Sequence, residues 1–181
     1  MRDIQIADGL KLVKIRLSSA QEIFETTLTN REHLRTWLPF IDDTVSVSQT
    51  EGFIRSVLEQ KGLKRDLVWE IRLHDVLAGI ISLKEVDEIN ARTEIGYWIA
   101  RKYEGRGLVT TCCQKLIEIS FNDLGIYRIQ IRVGIGNLRS ARIPERLGFK
   151  FEGIERAGEK HSDRFIDLMV FSLLRDEWEK Q

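Results

Sequence analysis

The sequence predicts an α+β fold, a single domain over residues 1–181 in which a mixed sheet of about seven strands is flanked by helices. Apolar residues recur with a period of two in some segments and near 3.6 in others, the periods of strands and of one-sided helices. The two kinds of segment interleave as β-α-α-α-β-β-β-α-β-α-β-β. No Ser/Gly-rich or single-charge tract divides them, and the only prolines are Pro39 and Pro144. A chain of 181 residues, 43% of them hydrophobic, is long enough to bury one sizeable core.

Leu10 to Leu17 alternates apolar and basic residues as a half-buried strand does, and Ser19 with Glu22 has the spacing of a capping box opening a helix from about Ala20 to Leu28. Asn30 is expected to cap a second short helix ending near Trp37-Leu38-Pro39. Thr50 is expected to cap a third, in which Phe53, Ile54, Val57 and Leu58 fall at helical spacing. From Leu67 the period becomes two. Leu67 to Leu73, a His74-Asp75 turn and Val76 to Val86 read as an antiparallel hairpin, with Gly79 marking a bulge or a close approach.

Thr93 to Ala100 is a further strand, followed by the turn Tyr103-Glu104-Gly105-Arg106-Gly107 and a helix from about Leu108 to Leu124 that stops at Gly125. Val109, Cys112, Leu116, Ile117, Phe121 and Leu124 give that helix a broad apolar stripe. Tyr127 to Val133 forms a strand, Leu138 to Leu147 a short helix, and Phe149 to Arg156 with Phe165 to Leu174 a closing hairpin.

Composition narrows the function. The 28 Lys+Arg balance 28 Asp+Glu, so no global basic field exists to hold nucleic acid or an anionic membrane surface. No apolar run approaches the roughly 20 residues of a membrane span, and Met1 to Gln5 has no charged-then-apolar leader pattern, so a cytoplasmic location is expected. Cys112 and Cys113 are adjacent on a helix, unable to bridge each other and without metal spacing, and read as reduced core thiols. His33, His74 and His161 are isolated and lack metal-ligand spacing, so no metal site is expected, although His161 and Asp163 in the last hairpin loop remain within reach of a substrate.

The strand Ile95-Gly96-Tyr97-Trp98-Ile99-Ala100 running through Gly105-x-Gly107 into a helix aims free backbone N–H groups and a helix dipole at one point, an arrangement that binds phosphate. Glycine is needed there for close approach of the anion and for positive φ. It is not a P-loop, since no GK[ST] follows, nor a dinucleotide fingerprint, since Thr110 stands where the third glycine belongs. Alone, a GxG is more often a simple tight turn. The stretch Asn137 to Phe149 adds a polar cap and a short helix leaving a neighbouring strand, although capping by itself would account for Asn137 and Ser140.

Together, the Glu94-Ile95-Gly96-Tyr97-Trp98 strand, Gly105-x-Gly107, Asn137-x-x-Ser140 and Gly148-Phe149 resemble the GNAT superfamily of acetyl-CoA-dependent N-acetyltransferases over most of the chain. Leu34-Arg35-Thr36-Trp37-Leu38-Pro39 and Asp167 ahead of Phe171 to Trp178 resemble its Rim branch, which acetylates N-terminal residues of ribosomal proteins. The resemblance implies a twisted, mostly antiparallel sheet with a V-shaped cofactor cleft between two central strands. It places the pyrophosphate on Gly105, Arg106, Gly107, Leu108 and Val109, the pantetheine along Tyr97, Trp98 and Ile99, and a further cofactor contact on Asn137. Lys102 stands where the family usually has Gln or Arg, and can neutralise phosphate as a point charge. Pro144 stands where many members carry a tyrosine acid.

Acyl transfer to an amine needs a neutral nucleophile, a site for carbonyl charge and a proton for the leaving sulfur. With Pro144 unable to serve, the resemblance puts Ser140 beside the leaving thiolate. Glu94, bordering the cleft, is the candidate base, with a pKa expected to rise on burial, although a cross-strand salt bridge explains it equally. Trp37, Phe40 and the Asp42-Asp43 pair are candidates for an acceptor pocket, as is Asp167, and core packing with solvated acids is the plainer alternative. The acceptor is then a protein N-terminus or a small amine such as a polyamine, amino sugar or drug. A module that holds acetyl-CoA without turnover is the third possibility, and self-association through the final strand and the Trp178 tail a fourth expectation.

Overall fold

The computed structural model describes residues 3–60, 62–161 and 164–180. Among them eight strands form one sheet: β1 (Ile4–Ala7), β2 (Leu10–Lys14), β3 (Lys64–Leu73), β4 (Val76–Asp87), β5 (Arg92–Ile99), β6 (Arg128–Gly134), β7 (Lys150–His161) and β8 (Arg164–Leu174). Their spatial order is β1-β2-β3-β4-β5-β6-β8-β7, antiparallel throughout except for the parallel pair β5 and β6. The helices are α1 (Ala20–Thr29), α2 (Arg31–Leu34), α3 (Val47–Glu59), α4 (Leu108–Asn122), α5 (Leu138–Arg146) and α6 (Arg175–Trp178).

The extra strand is β1, four residues too short to show a period, which the Asp8-Gly9 turn folds back onto β2. The strand expected to reach Leu17 stops at Lys14, because Leu17 to Ser19 already form a 3-10 turn into α1. Two expected caps are replaced by other partners. Ser19 makes no side-chain cap, and Glu22 instead binds Arg72 (2.5 Å) and the Leu77 amide (3.2 Å) across the sheet. Thr50 lies buried inside α3, whose start is held by Gln49 Oε1 accepting from the Ser46 amide at 2.9 Å. Asn30 precedes α2 but its carboxamide joins Thr26 O to the Arg101 amide, tying α1 to the chain beyond β5.

The β3–β4 hairpin turns on His74 and Asp75, both with positive φ (49° and 65°), the conformation whose twist matches antiparallel strands. Two apolar clusters cover the two faces of the sheet. The larger joins α4, through Val109, Cys112, Cys113, Leu116, Ile117 and Phe121, to the inward residues of β2 to β6 and β8. The smaller places α1 and α3 on β3 and β4 through Ile23, Ile54, Val57, Val68 and Ile80. Cys112 and Cys113 are buried free thiols, and burial pushes the Cys112 thiol up to about 12, which leaves it protonated and unreactive.

The final strand β8 is paired on both sides, with β6 and β7, and Trp178 stacks on Phe121 at 5.4 Å. Both hydrogen-bonding edges of β8 are thus occupied within the chain, and the sheet edge on that side belongs to β7.

Gly79 lies at a register shift and opposite Ile99, where an added Cβ would overlap the Trp98 carbonyl, so both readings of this glycine hold. Gly79→Ala should cost about 1–3 kcal/mol by overpacking at the β4–β5 contact. Gly52→Ala, in α3 with nothing near the new methyl, should instead stabilise by up to about 1 kcal/mol. Urea denaturation of both variants checks the contrast.

Candidate active site

β5 and β6 are parallel partners over three residue pairs only, Arg92 with Arg128, Thr93 with Ile129 and Glu94 with Gln130. Beyond Glu94, β5 stays on β4 as far as Ile99, while β6 stays on β8 as far as Gly134. The strands open into a V. The β5 edge from Ile95 to Ile99 thus faces a gap instead of a strand, with backbone donors and acceptors available to an extended ligand.

At the mouth of the V the chain passes from β5 through a 3-10 turn, Arg101–Tyr103, into α4. Gly105 and Gly107 have φ of 71° and 75°, and no atom lies within 4 Å of where a Cβ would stand on either. The glycines therefore serve backbone conformation and leave the concavity open. The first α4 bond to this turn is Thr111 N–H to Gly107 O, so the amides of Leu108, Val109 and Thr110 precede the helical ladder and point out of its N-terminus. The Val109 side chain is buried in the core while its amide belongs to this end. Lys102 and Arg106 lie over the Tyr103 ring at 4.8 and 5.6 Å, exposed cations beside the cradle.

Asn137 is the N-cap of α5, its Oδ1 accepting from the Ser140 amide at 3.2 Å. Ser140 in turn faces β5: its Oγ donates to Tyr97 Oη at 3.1 Å, and Tyr97 Oη donates to the Ser140 carbonyl at 3.2 Å. Alternation along β5 sends Ile95, Tyr97 and Ile99 to the α4 side and Trp98 to the α1–α3 side. Burial holds the Tyr97 phenol far above its usual range, so it remains protonated. The sequence treated Tyr97 only as backbone. Its period-two place beside Ile95 and Ile99 was the available signal, because a buried tyrosine hydroxyl requires a partner.

Glu94 sits at the point of the V, on the face away from α4. Burial by itself raises its carboxyl, yet Lys84 (3.2 Å), Arg132 (2.6 Å) and Gln130 (3.2 Å) outweigh burial and hold it below the ordinary carboxylate value. The expected rise does not occur, because the neighbouring strands present two cations to the same oxygen pair. The cross-strand salt bridge that explained this residue equally is present, with Lys84 and with Arg132.

The acceptor candidates separate. Trp37 lies against Gly134 and Gly136, at the end of β6 just before Asn137, and so borders the V. Phe40 is 46% exposed on a neighbouring turn, which Arg31 pins by donating to Ile41 O and Thr44 O. Asp42 pairs with Arg35 at 3.2 Å and is no free carboxylate. Asp167 spends Oδ1 on the Ala157 amide (2.8 Å), holding a residue of positive φ in β7. His161 is buried against Glu159, and Asp163 lies outside the described residues. One unanticipated cluster flanks the cradle: Glu104 binds His33 of α2 (3.2 Å) and Arg139 of α5 (2.7 Å). Among the described residues no group of three or more His, Cys, Asp or Glu gathers as a metal would require, and no helix is long and apolar enough to cross a membrane.

Residues 10–150 match the family model of the acetyltransferase (GNAT) domain. The chain belongs to the GNAT acetyltransferase family. This acetyltransferase is 35% identical over 175 residues to the putative ribosomal N-acetyltransferase YdaF of Bacillus subtilis (strain 168), covering 92% of this chain and 93% of that one. A crystal structure of a probable acetyltransferase superposes with a TM-score of 0.90 at 32% identity, covering 97% and 98% of the two chains. The RimL ribosomal L7/L12 alpha-N-protein acetyltransferase in complex with coenzyme A superposes at 0.89 with 22% identity, covering 97% and 99%. These relatives place the acetyltransferase in the Rim-type branch, and its co-substrate is acetyl-CoA.

The residues fit that group, since the open glycine cradle and the unpaired β5 edge offer amides to a pyrophosphate and an extended amide chain respectively. Gly107→Val should weaken CoA binding at least tenfold by forcing a β-branched residue to positive φ at the helix start, read by calorimetry. Stability supplied by the depressed Glu94 carboxyl is fully present above about pH 4.5 and is lost as pH falls through its folded value. Thermal melts from pH 6 to 3 should therefore show a shallower acid-side loss in Glu94→Gln than in the wild type.

Proposed function

We propose that the enzyme acetylates the N-terminal α-amino group of a protein, a ribosomal protein being the first candidate, in the cytoplasm. The observation that carries this reading is the state of Glu94. A carboxylate held below its usual pKa is a poor base. It serves best an amine that loses its proton near neutrality, which an α-amine does at about 7.7–8.0, whereas polyamine and lysyl amines need about 10.4. A polyamine would also call for several carboxylates free to meet its charges. Among the described residues, Glu94, Glu104 and Asp42 around the V are each already engaged by a cation and Asp167 by a backbone amide, so that of the candidate carboxylates only the exposed Asp43 is without a side-chain partner. The name of the Bacillus subtilis relative agrees with the same reading.

In this reading the amine enters on the Glu94 face between Trp37 and β5. Glu94 attracts the ammonium and takes its proton through water. The amides of Gly105 to Val109, with Lys102, hold the pyrophosphate, and Asn137 and the Tyr97–Ile99 edge hold the pantetheine. A β5 amide meets the carbonyl oxygen, and Ser140 meets the leaving sulfur, the place that Pro144, buried in α5, cannot fill. Turnover distinguishes the enzyme from a module that only stores acetyl-CoA.

An acceptor screen by CoA-thiol release, with ribosomal-protein N-terminal peptides against spermidine and amino sugars, tests the substrate. The peptides should be turned over with the higher kcat/KM, rising toward a plateau near the α-amine pKa of about 8; a preference for spermidine sinks the reading. Ser140→Ala should lower kcat by about 100-fold or more while acetyl-CoA affinity stays close to wild type.

A further inference from the structure

The two hydrogen bonds between Tyr97 and Ser140 leave the serine hydroxyl committed. Its single proton is donated in a hydrogen bond to Tyr97 Oη (3.1 Å), so in this arrangement it is not offered to a leaving group. Tyr97 has one proton as well and two acceptors on the same residue within almost equal reach, the carbonyl at 3.2 Å and Oγ at 3.1 Å. Turning the phenolic hydrogen from one to the other moves no ring atom. The ring is held in the main core, and Asn137 holds the serine amide from the other side.

We infer that Tyr97 is a positioning residue for acetyl transfer: its hydroxyl turns from the Ser140 carbonyl to Ser140 Oγ as Oγ–H turns toward the CoA sulfur. The inference rests on the proposed placement of Ser140 at the leaving group. A serine that accepts from one hydroxyl while donating to a thiolate is a stronger donor, because hydrogen bonds in a chain polarise one another. The acceptor nitrogen forms the C–N bond, and the C–S bond breaks with its electron pair on sulfur. The proton the amine gives up passes to water through Glu94, and CoA leaves as a thiolate held by the Ser140 hydrogen bond and takes up one proton from water to become the thiol. Tyr97 and Ser140 each finish with the proton they began with, in keeping with a buried phenol that does not ionise.

A double-mutant cycle separates this role from that of a brace between β5 and α5. Tyr97→Phe keeps the ring and removes only the hydroxyl, and Ser140→Ala removes Oγ but keeps the carbonyl that a brace would use. Turnover is measured by thiol release with any amine the wild type accepts, so the identity of the acceptor does not enter. Alone, Tyr97→Phe should lower kcat about tenfold, the worth of one hydrogen bond, with KM for acetyl-CoA and the melting temperature near wild type. In the Ser140→Ala background it should cost nothing further. An equal loss in both backgrounds, or a fall in CoA affinity matching the fall in kcat, makes Tyr97 a brace and overturns the proposal. So does an undiminished kcat in Tyr97→Phe. An undiminished kcat in Ser140→Ala overturns the serine assignment itself, whatever the acceptor screen returns.

Discussion

β5 and β6 share parallel hydrogen bonds over three residue pairs and then follow different neighbours, β5 along β4 and β6 along β8. Each strand keeps a full antiparallel ladder on its outer side, which fixes its direction, and the inner edges are left to diverge. This divergence creates the site. It frees the backbone edge of Ile95 to Ile99 in the middle of a sheet, an edge that a ligand with amide groups along its length can satisfy as a strand would. The walls are rejoined across the gap by Tyr97 and Ser140 and, at the mouth, by Glu104 and Arg139.

Polarity is divided by the sheet. On the α4 side the V is lined by apolar residues and the Tyr97–Ser140 pair, on the other by Lys84, Glu94, Gln130 and Arg132. Desolvation and ion pairing act on Glu94 in opposite directions, and the two cations prevail. The point of the V therefore holds an ionised carboxylate that is a weak base, and in the proposed reaction the burden of supplying a neutral nucleophile falls on the amine. Toward the mouth, the N-terminal helices are fastened to the cofactor turn by Asn30 on the Arg101 amide and His33 on Glu104. The segment carrying Trp37 and Phe40 is positioned by the same region of chain that forms the glycine turn, the proposed phosphate site.

Sequence periodicity sufficed for the fold class, for most strands and for α4, because a two-residue or 3.6-residue period over eight or more residues reflects one buried face. The glycine turn was legible because positive φ restricts residue type, as at Gly105 and Gly107, and Asn137 because an N-cap demands a short acceptor side chain. β1 was too short to show a period, and the caps at Ser19 and Thr50 were misassigned because local spacing does not reveal that Glu22 has Arg72 as a partner. Tertiary structure alone decided which way the Glu94 pKa moves, that Asp42 and Asp167 are engaged, and that Tyr97 meets Ser140. In each case the deciding partner comes from another part of the chain, 43 residues away for Tyr97 and Ser140, and a one-dimensional pattern records what a residue can do but not what it faces.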